Sequence, residues 1–457
     1  MEEHLRADAL THWDTMGSTL ANIGPAFSIY VTIGAMAQLA GNASLYTIVL
    51  AGVVSVLLSA LLGSYARRLP VAGSYVQYVA ECLGYRFSIW TALMIFAGTV
   101  FEFGAVSSAM GRFVEASLNQ AGLAIHWPYP IVSVIIVALA VVLVLRGVRL
   151  ASRWILGALG FEVATLMAFV VWGVIHIQSQ GGAHWRLFNP LLMPHPLASI
   201  AASFPVVFFL FMGWDNSASL AEETIQPRTG VRKSAVLGTI ISGVVYLLAS
   251  WVVLTIEPAV LAAKQPFPFA SVTQRLMPPL TVFVFISSVT STFGVLLAML
   301  NARARILFGS GRAGILPSRL SRLSSTRVPF ASVIALTILG TVILIGGYLA
   351  HAPQIVGLLA GVGTFYFMVV YALTAFAFPF FLRRRRETIR VWRHIALPYF
   401  VGAVLLIPMY ATLVPNHAPS IGTVLIVLIS LGAFAVYAVT RRSVVTAGAP
   451  SSVQEHG

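Results

Sequence analysis

Apolar runs long enough to cross a membrane recur along this chain from beginning to end. A spanning helix needs about 20 predominantly apolar residues. Only 9% of the 457 residues are charged, against roughly 25% in soluble domains. We therefore expect an all-α polytopic membrane protein without a separate soluble domain. Twelve transmembrane helices are predicted, beginning near Trp13, Leu45, Phe87, Tyr129, Trp154, Leu197, Ser234, Pro278, Pro329, Gln354, Ile395 and Ser420.

The net charge of +14 follows a topological pattern rather than one typical of nucleic-acid binding. With the N-terminus inside, most basic residues fall in alternate loops, including Arg67, Arg68, Arg303 and Arg305. Cytoplasmic enrichment in lysine and arginine is the positive-inside rule. It predicts a multi-pass protein with both termini cytoplasmic, in the plasma or bacterial inner membrane. The predicted partner is the lipid bilayer, and no nucleic acid is expected.

Signals for catalysis or for a bound cofactor are absent from the sequence. Cys82 is the only cysteine, and no cysteine–histidine cluster suggests a metal. The motifs of zinc proteases, serine hydrolases and P-loop enzymes do not occur. We expect neither an enzyme nor a cofactor.

Two predicted spans contain helix-breaking residues at mid-depth. The first reads N-I-G-P-A at residues 22–26, and the second reads M-G-W-D-N at residues 212–216. Backbone groups released inside a bilayer must face a cavity or other protein. Discontinuous helices at matching places in two halves of a chain point to the binding site of a secondary transporter.

The spans divide into a predicted five-plus-five inverted repeat, with the broken helices first and sixth. Five spans in each half give the halves opposite orientations. The predicted segments are a cytoplasmic N-terminus (1–12), the two repeats (13–177 and 197–382), the last two helices (395–440) and a disordered cytoplasmic tail (443–457).

Three motifs resemble those of permeases of the amino acid–polyamine–organocation superfamily. Residues 68–78, R-L-P-V-A-G-S-Y-V-Q-Y, are similar to its P-x-A-G-S-x-Y-x-Y loop. Residues 211–227 resemble its F-x-G-F-E…A-E-E…N-P sixth span, with Asp215 replacing the usual glutamate. Residues 304–317 resemble its S-R-x-L-Y…R-D-G-x-L-P segment. The resemblance implies the inverted-repeat fold and alternating access coupled to an ion gradient. The first break departs from the pattern, because Pro25 supplies no amide donor.

Helix dipoles at the breaks predict a site for a zwitterion. Carbonyl ends attract an ammonium and amide ends attract a carboxylate. The alternative is a proline kink without a ligand. The predicted substrate-binding residues are Asn22, Ile23, Gly24, Ala26, Phe27, Glu102, Phe211, Met212, Gly213, Trp214 and Asp215.

Three of these residues carry specific predictions and specific alternatives. Glu102 lies on a small-residue stripe with Gly98, Ala105 and Ala109 and is predicted to meet a substrate amine, because intramembrane carboxylates mark functional sites. A structural glutamate is the alternative. Trp214 is predicted to cover the ligand or to pack against neighbouring helices. Asp215 is predicted to bind an amine or a gate, or else to cap the inner half-helix.

Ion coupling is assigned to the fifth and eighth spans. In some proton-coupled members of the superfamily, a lysine occupies the position that aligns with Glu162. This resemblance implies that Glu162 titrates, or that it binds a cation with Ser287 and Ser288. Glu222 and Glu223 are predicted to face arginines in an inner gate, or to be solvated helix-end charges.

The sequence thus favours a secondary transporter of an amino acid or related amine, coupled to a proton or monovalent cation. A transporter of a polyamine, a choline-like amine or potassium is a second possibility, motivated by Pro25 beside the acidic residues Glu102 and Asp215. A sensor or channel that does not pump is a third.

Overall fold

The computed structural model describes residues 5, 8–120, 127–181, 196–257, 268–351, 355–413 and 421–440. Their secondary structure is helical apart from turns, short connections and an isolated β-bridge. The α-helices are α1 (His12–Ile23), α2 (Pro25–Ala40), α3 (Ser44–Ala66), α4 (Ser74–Leu83), α5 (Tyr85–Gln120), α6 (Tyr129–Leu145), α7 (Val148–Ser179), α8 (Pro196–Phe211), α9 (Asn216–Ser219), α10 (Pro227–Ile256), α11 (Pro268–Leu276), α12 (Pro278–Arg312), α13 (Phe330–Leu349), α14 (Ile355–Arg384), α15 (Leu397–Leu413) and α16 (Ile421–Thr440). Short 3₁₀ helices lie at Gly41–Ala43, Ala221–Glu223 and Ser318–Ser321, and a π-helical turn at Trp392–Ala396.

The helices of the described chain make this a multi-pass membrane protein. Nine helical stretches in these residues are long and apolar enough to span a bilayer, and the first, His12–Ala66, contains α1, α2 and α3. Two shorter apolar helices lie at Tyr129–Leu145 and Ile426–Thr440. The count of twelve and the repeat stay predictions. The proposed tail, 443–457, lies outside the described residues, as do 1–4, 6 and 7.

Both predicted interruptions are present. Helix α1 ends at Ile23 and α2 begins at Pro25, with Gly24 between them at a φ of 59°. Proline suits this first helical position, whose N–H would have no partner within the helix. Helix α8 ends at Phe211 and α9 begins at Asn216, and Gly213 has a φ of 113°. Glycine adopts these positive φ values without the penalty that a side chain would bring.

Helix α5 packs along α14 through small residues. A Cβ on Gly98 would lie 3.1 Å from the ring of Phe367 and 3.3 Å from the Gly363 carbonyl oxygen. The predicted inward stripe is confirmed, since Ala105, Ala109 and Glu102 are all buried. This packing holds the Glu102 carboxylate inside the bundle.

The N-terminal segment is joined to the chain after the second break. The Leu10 amide donates to the Glu223 carbonyl over 2.9 Å, and the Ile225 amide donates to the Leu10 carbonyl over 2.9 Å. Thr15 and Thr224 add a hydroxyl hydrogen bond of 3.0 Å. The start of α1 is therefore tied to residues 223–225.

Candidate functional site

The two interruptions lie directly against each other. A Cβ on Gly213 would lie 2.6 Å from the Asn22 carbonyl carbon, so the two backbones approach as closely as glycine permits. The Asn22 side-chain amide donates to the Gly213 carbonyl over 3.4 Å. Asn216, just beyond the second break, donates to the Ser18 carbonyl and hydroxyl, each over 2.8 Å. The structure thus brings together the two segments that the sequence singled out separately.

The amides at the start of α2 are occupied by the protein itself. The Ala26 amide donates to Glu162 Oε1 over 2.5 Å, and the Phe27 amide donates to Ser291 Oγ over 3.0 Å. Pro25 has no amide hydrogen. The expectation that free amides await a substrate carboxylate is wrong for this conformation, because a buried carboxylate from α7 already accepts one of them.

The carbonyl ends of the breaks meet a single tyrosine. Tyr246 of α10 donates its hydroxyl to the Leu210 carbonyl over 2.7 Å and lies 3.3 Å from the Ile23 carbonyl oxygen. Ser28 also donates to the Ile23 carbonyl over 2.7 Å. Buried carbonyls require such partners because an unpaired polar group in an apolar interior is costly. Phe211 packs edge-on against Tyr246, with ring centroids 5.3 Å apart.

A buried ion cluster joins α5, the second break and α12. Arg303 Nη1 lies 2.5 Å from Asp215 Oδ2, and Arg303 Nη2 lies 3.8 Å from Glu102 Oε2. The guanidinium carbon lies 4.3 Å from the centroid of the Phe367 ring. Charges in such a site need partners, since removing an ion from water costs several kcal/mol. One guanidinium faces two carboxyl groups, so it can neutralise only one of them when both are ionised.

This cluster corrects two sequence expectations. Arg303 was assigned to the cytoplasmic basic set, but it is fully buried and pairs with both acids. Asp215 occupies the cap position of α9, yet its side chain makes no capping hydrogen bond and binds Arg303 instead. Charge balance in the sequence could have indicated that Arg303 is buried, because two intramembrane carboxylates require a nearby cation.

Several buried polar atoms around the cluster have no hydrogen-bond partner in the described part of the chain. Buried polar atoms in native structures are nearly always hydrogen-bonded. Their concentration here, next to the two breaks, is what a site for a polar solute requires. They are Asn22 Oδ1, Glu102 Oε2, Trp214 Nε1, Asn216 Oδ1, Arg303 Nε and the Tyr371 hydroxyl.

The remaining predicted substrate residues are buried around these atoms. Trp214 packs on Tyr371 with ring centroids 4.8 Å apart, which matches the packing alternative for its indole ring. The indole nitrogen nevertheless has no hydrogen-bond acceptor among the described residues. The residues Ile23, Gly24, Ala26, Phe27, Met212 and Gly213 are all buried.

The predicted ion-coupling residues separate in the structure. Glu162 contacts Ser291 and Ala26. Ser287 instead shares a 2.9 Å hydrogen bond with the Tyr30 hydroxyl, and Ser288 donates to the Phe285 carbonyl of its own helix. Ser291 was not among the predicted residues, although it lies four residues after Ser287, on the same face of α12.

Both predicted gate glutamates pair with arginines. Glu222 binds Arg312 with an Oε1–Nη2 distance of 2.5 Å and accepts the Ala72 amide over 2.8 Å. Glu223 pairs with the buried Arg305, which also donates to the Asn301 carbonyl over 2.5 Å. These bonds join the residue 68–78, 211–227 and 304–317 motifs at one end of the bundle. Their role in gating stays a prediction.

No group of three or more histidine, cysteine, aspartate or glutamate residues suited to a metal occurs among the residues that the structure describes. The polar atoms at the breaks instead suit a small organic solute or a monovalent cation. Carboxylates, carbonyls, a guanidinium and an indole N–H offer contacts for either charge.

Comparison with known proteins identifies the family of this chain. The family profile described as "Amino acid permease" matches residues 10–436. The methylthioribose transporter of Bacillus subtilis is 24% identical over 359 residues, 73% of this chain and 75% of that protein. The branched-chain amino acid permease BcaP of Lactococcus lactis is 22% identical, over 69% of this chain and 71% of its own length. The aromatic amino acid transport protein AroP of Escherichia coli K12 is 23% identical, over 88% and 90% respectively. The chain belongs to the amino acid permease family.

Proposed function

We propose that this permease is a secondary active transporter that moves an amino acid or related amine by alternating access. The observation that carries the proposal is the contact of the two interrupted helices, Asn22 against Gly213, beside a group of buried and unsatisfied polar atoms. Discontinuous helices that meet in the bundle provide the dipole ends that transporters use to bind small solutes. The relatives named as amino acid permeases support the same substrate type.

The architecture that goes with this function is the twelve-helix, five-plus-five inverted repeat. Residues 13–177 form the first repeat, 197–382 the second and 395–440 the last two helices. Both termini are cytoplasmic, in the plasma or bacterial inner membrane. Residues 1–12 and 443–457 flank the membrane portion.

The substrate amine is placed between Glu102 and Asp215. These acids share Arg303 in the present conformation, so an entering ammonium supplies the second positive charge that the cluster needs when both acids are ionised. Arg303 then shifts toward the Phe367 ring or toward one acid alone. Trp214 lies beside this position, so its face and its N–H are available to the substrate.

Glu162 is the proposed coupling group. As a carboxylate it accepts a hydrogen bond from the Ala26 amide, so another carboxylate cannot bind to that amide. A proton on Glu162 removes that negative charge, so the Ala26 amide becomes available to the substrate. Proton binding and substrate binding then favour each other, which is the linkage that a symporter needs.

Proteoliposomes provide the direct experiment. Liposomes containing the purified chain are loaded at one pH and diluted into buffer at a lower pH, and labelled amino acids are screened for accumulation. We expect saturable accumulation that a protonophore abolishes. Uptake that stops at equal concentrations inside and outside indicates a channel or a uniporter and contradicts the proposal.

A solute without a carboxylate is the second candidate. In the described structure the Ala26 and Phe27 amides are both engaged, and Pro25 has none. The Bacillus subtilis relative named a methylthioribose transporter shows that the family name alone does not require an amino acid. Decarboxylated amines, potassium and amino acids should therefore be compared as competitors. Competition by zwitterionic amino acids alone rejects this candidate.

The Glu102→Gln variant tests the amine-binding position that both candidates share. If Glu102 binds an ammonium, the variant loses cationic and zwitterionic substrates but keeps its fold. An unaltered substrate profile assigns Glu102 to structure.

A further inference from the structure

Away from the breaks, a cavity of about 200 Å³ opens between α3, α14 and α15. Its rim carries basic residues from three separate parts of the chain: the end of α3, the start of α10 and the π-helical turn before α15. They are Arg67, Arg68, Arg232, Arg393 and His394. The cavity takes no part in the transport site proposed above.

The positive charge at this rim exceeds the negative charge that faces it. Arg68 pairs with Glu387 over 2.6 Å. Arg385 is engaged by Glu81 and donates to the Arg68 carbonyl over 3.0 Å. Within the described chain, no carboxylate is paired with Arg67, Arg232 or Arg393, and His394 Nδ1 accepts the Arg390 amide. The site is therefore built for an anion.

Below the rim the walls become apolar. On α3, Leu57 and Leu61 lie on the same face as Ser64 and Arg68, at spacings of three and four residues. On the opposite side, Leu397 and Val401 follow Arg393 at intervals of four. The ring of Phe378 closes the back. Both walls thus pass from basic to apolar in the same direction, which matches an amphiphile rather than a free ion.

The backbone and the exposed side chains beside the cavity are typical of the membrane–water interface. The π-helical turn Trp392–Ala396 widens the helix where Arg393 and His394 enter the rim, and π-turns are frequent at functional sites. Trp392 and Phe400 are 77% and 60% exposed. Exposed aromatic residues beside basic ones are typical of the membrane–water boundary.

We propose that this cavity binds the phosphodiester headgroup of an anionic phospholipid, with Arg67, Arg232 and Arg393 around the phosphate and one acyl chain along Leu57, Leu61 and Val401. Basic pockets between transmembrane helices are known headgroup sites. Arginine suits this role because its planar guanidinium binds phosphate oxygens through two parallel hydrogen bonds.

The test uses the full chain purified in detergent, with its apparent Tm measured against added lipid. A ligand that binds the native state raises the apparent Tm. We expect phosphatidylglycerol to give a saturable rise that phosphatidylcholine and inorganic phosphate do not give. The R67Q/R232Q/R393Q variant should lose the rise, and the control R319Q/R322Q, which removes two exposed arginines outside the cavity, should keep it.

A second variant decides the matter if the triple variant does not fold. Ala60→Trp fills the cavity from its partly exposed wall and leaves every charge in place, and it should also lose the rise. A full rise in both Ala60→Trp and the triple variant overturns the proposal. An equal rise with inorganic phosphate makes this a site for a free anion and overturns the lipid assignment.

Discussion

The amide of Ala26 donates to the carboxylate of Glu162 over 2.5 Å, at the point where the first membrane helix is interrupted. A carboxylate from α7 therefore occupies the position where a substrate carboxylate was expected. At the same break, the next amide, that of Phe27, donates to Ser291 Oγ. The first amides of α2 are therefore hydrogen-bonded without a ligand. In the transport mechanism proposed above, a substrate carboxylate reaches the Ala26 amide only after Glu162 releases this hydrogen bond.

Glu162→Gln should abolish proton-driven accumulation while sparing exchange of substrate across the membrane. Glutamine keeps the shape and, like the protonated acid, has no negative charge to hold the Ala26 amide, but it cannot take up or release a proton. The measurement is paired uptake and counterflow in proteoliposomes. Glu115→Gln, the same change at a partly exposed position of α5, is the matched control. Accumulation at the wild-type level in Glu162→Gln removes this residue from coupling.

Arg303→Met should lower the stability of the fold by about 3–5 kcal/mol, because it leaves Glu102 and Asp215 buried without a cation. Thermal unfolding of the purified variant, compared with wild type, measures the loss. Arg319→Met, at an exposed position, should change stability by only about 0.5 kcal/mol. Equal melting of the two variants would show that Arg303 does not balance the acids.

Gly213→Ala should destabilise the protein, and backbone strain by itself should contribute about 1–3 kcal/mol. Its φ of 113° is unfavourable for alanine, and the added Cβ would meet the Asn22 backbone at 2.6 Å. Because the contact joins the two breaks, transport should fall as well. Gly157→Ala in α7 is the control, since a Cβ there meets no atom within 4 Å. A gain in stability at both positions would contradict the described contact.

Acidification should release one ion pair at the rim of the basic cavity. The hydrogen bonds from Arg68 hold the pKa of Glu387 below its ordinary value. The pair therefore stabilises the fold fully above about pH 4.5, and its contribution is lost as the pH falls through the lowered pKa. The Glu387 side chain is 35% exposed, so the contribution is about 0.2–1 kcal/mol.

The measurement is thermal stability between neutral pH and about pH 3 for the wild type and Glu387→Gln. The variant should lack this part of the acid-induced loss, and Arg68→Gln should behave in the same way. A parallel loss in all three proteins would mean that the pair does not contribute.

The sequence predicted those parts of the site that depend on local chemistry. Gly24, Pro25 and Gly213 interrupt helices because of their own backbone preferences, and the breaks lie where they were expected. Arg303 was misplaced because its partners come from α5 and the second break, far away along the chain. Ser291 was missed for a related reason, since serines one turn apart on a helix differ only in what packs against them.

The pairing of Leu10 with residues 223 and 225 has a practical consequence for observing this protein at work. Two backbone hydrogen bonds connect the chain ahead of α1 to the segment that follows the second break. That short bridge is held by main-chain atoms, so substitutions of side chains at its edges leave it intact. A spectroscopic label at Asp8, an exposed residue next to the bridge, would therefore report movements of the chain beyond Gly213 without any alteration of the buried charges.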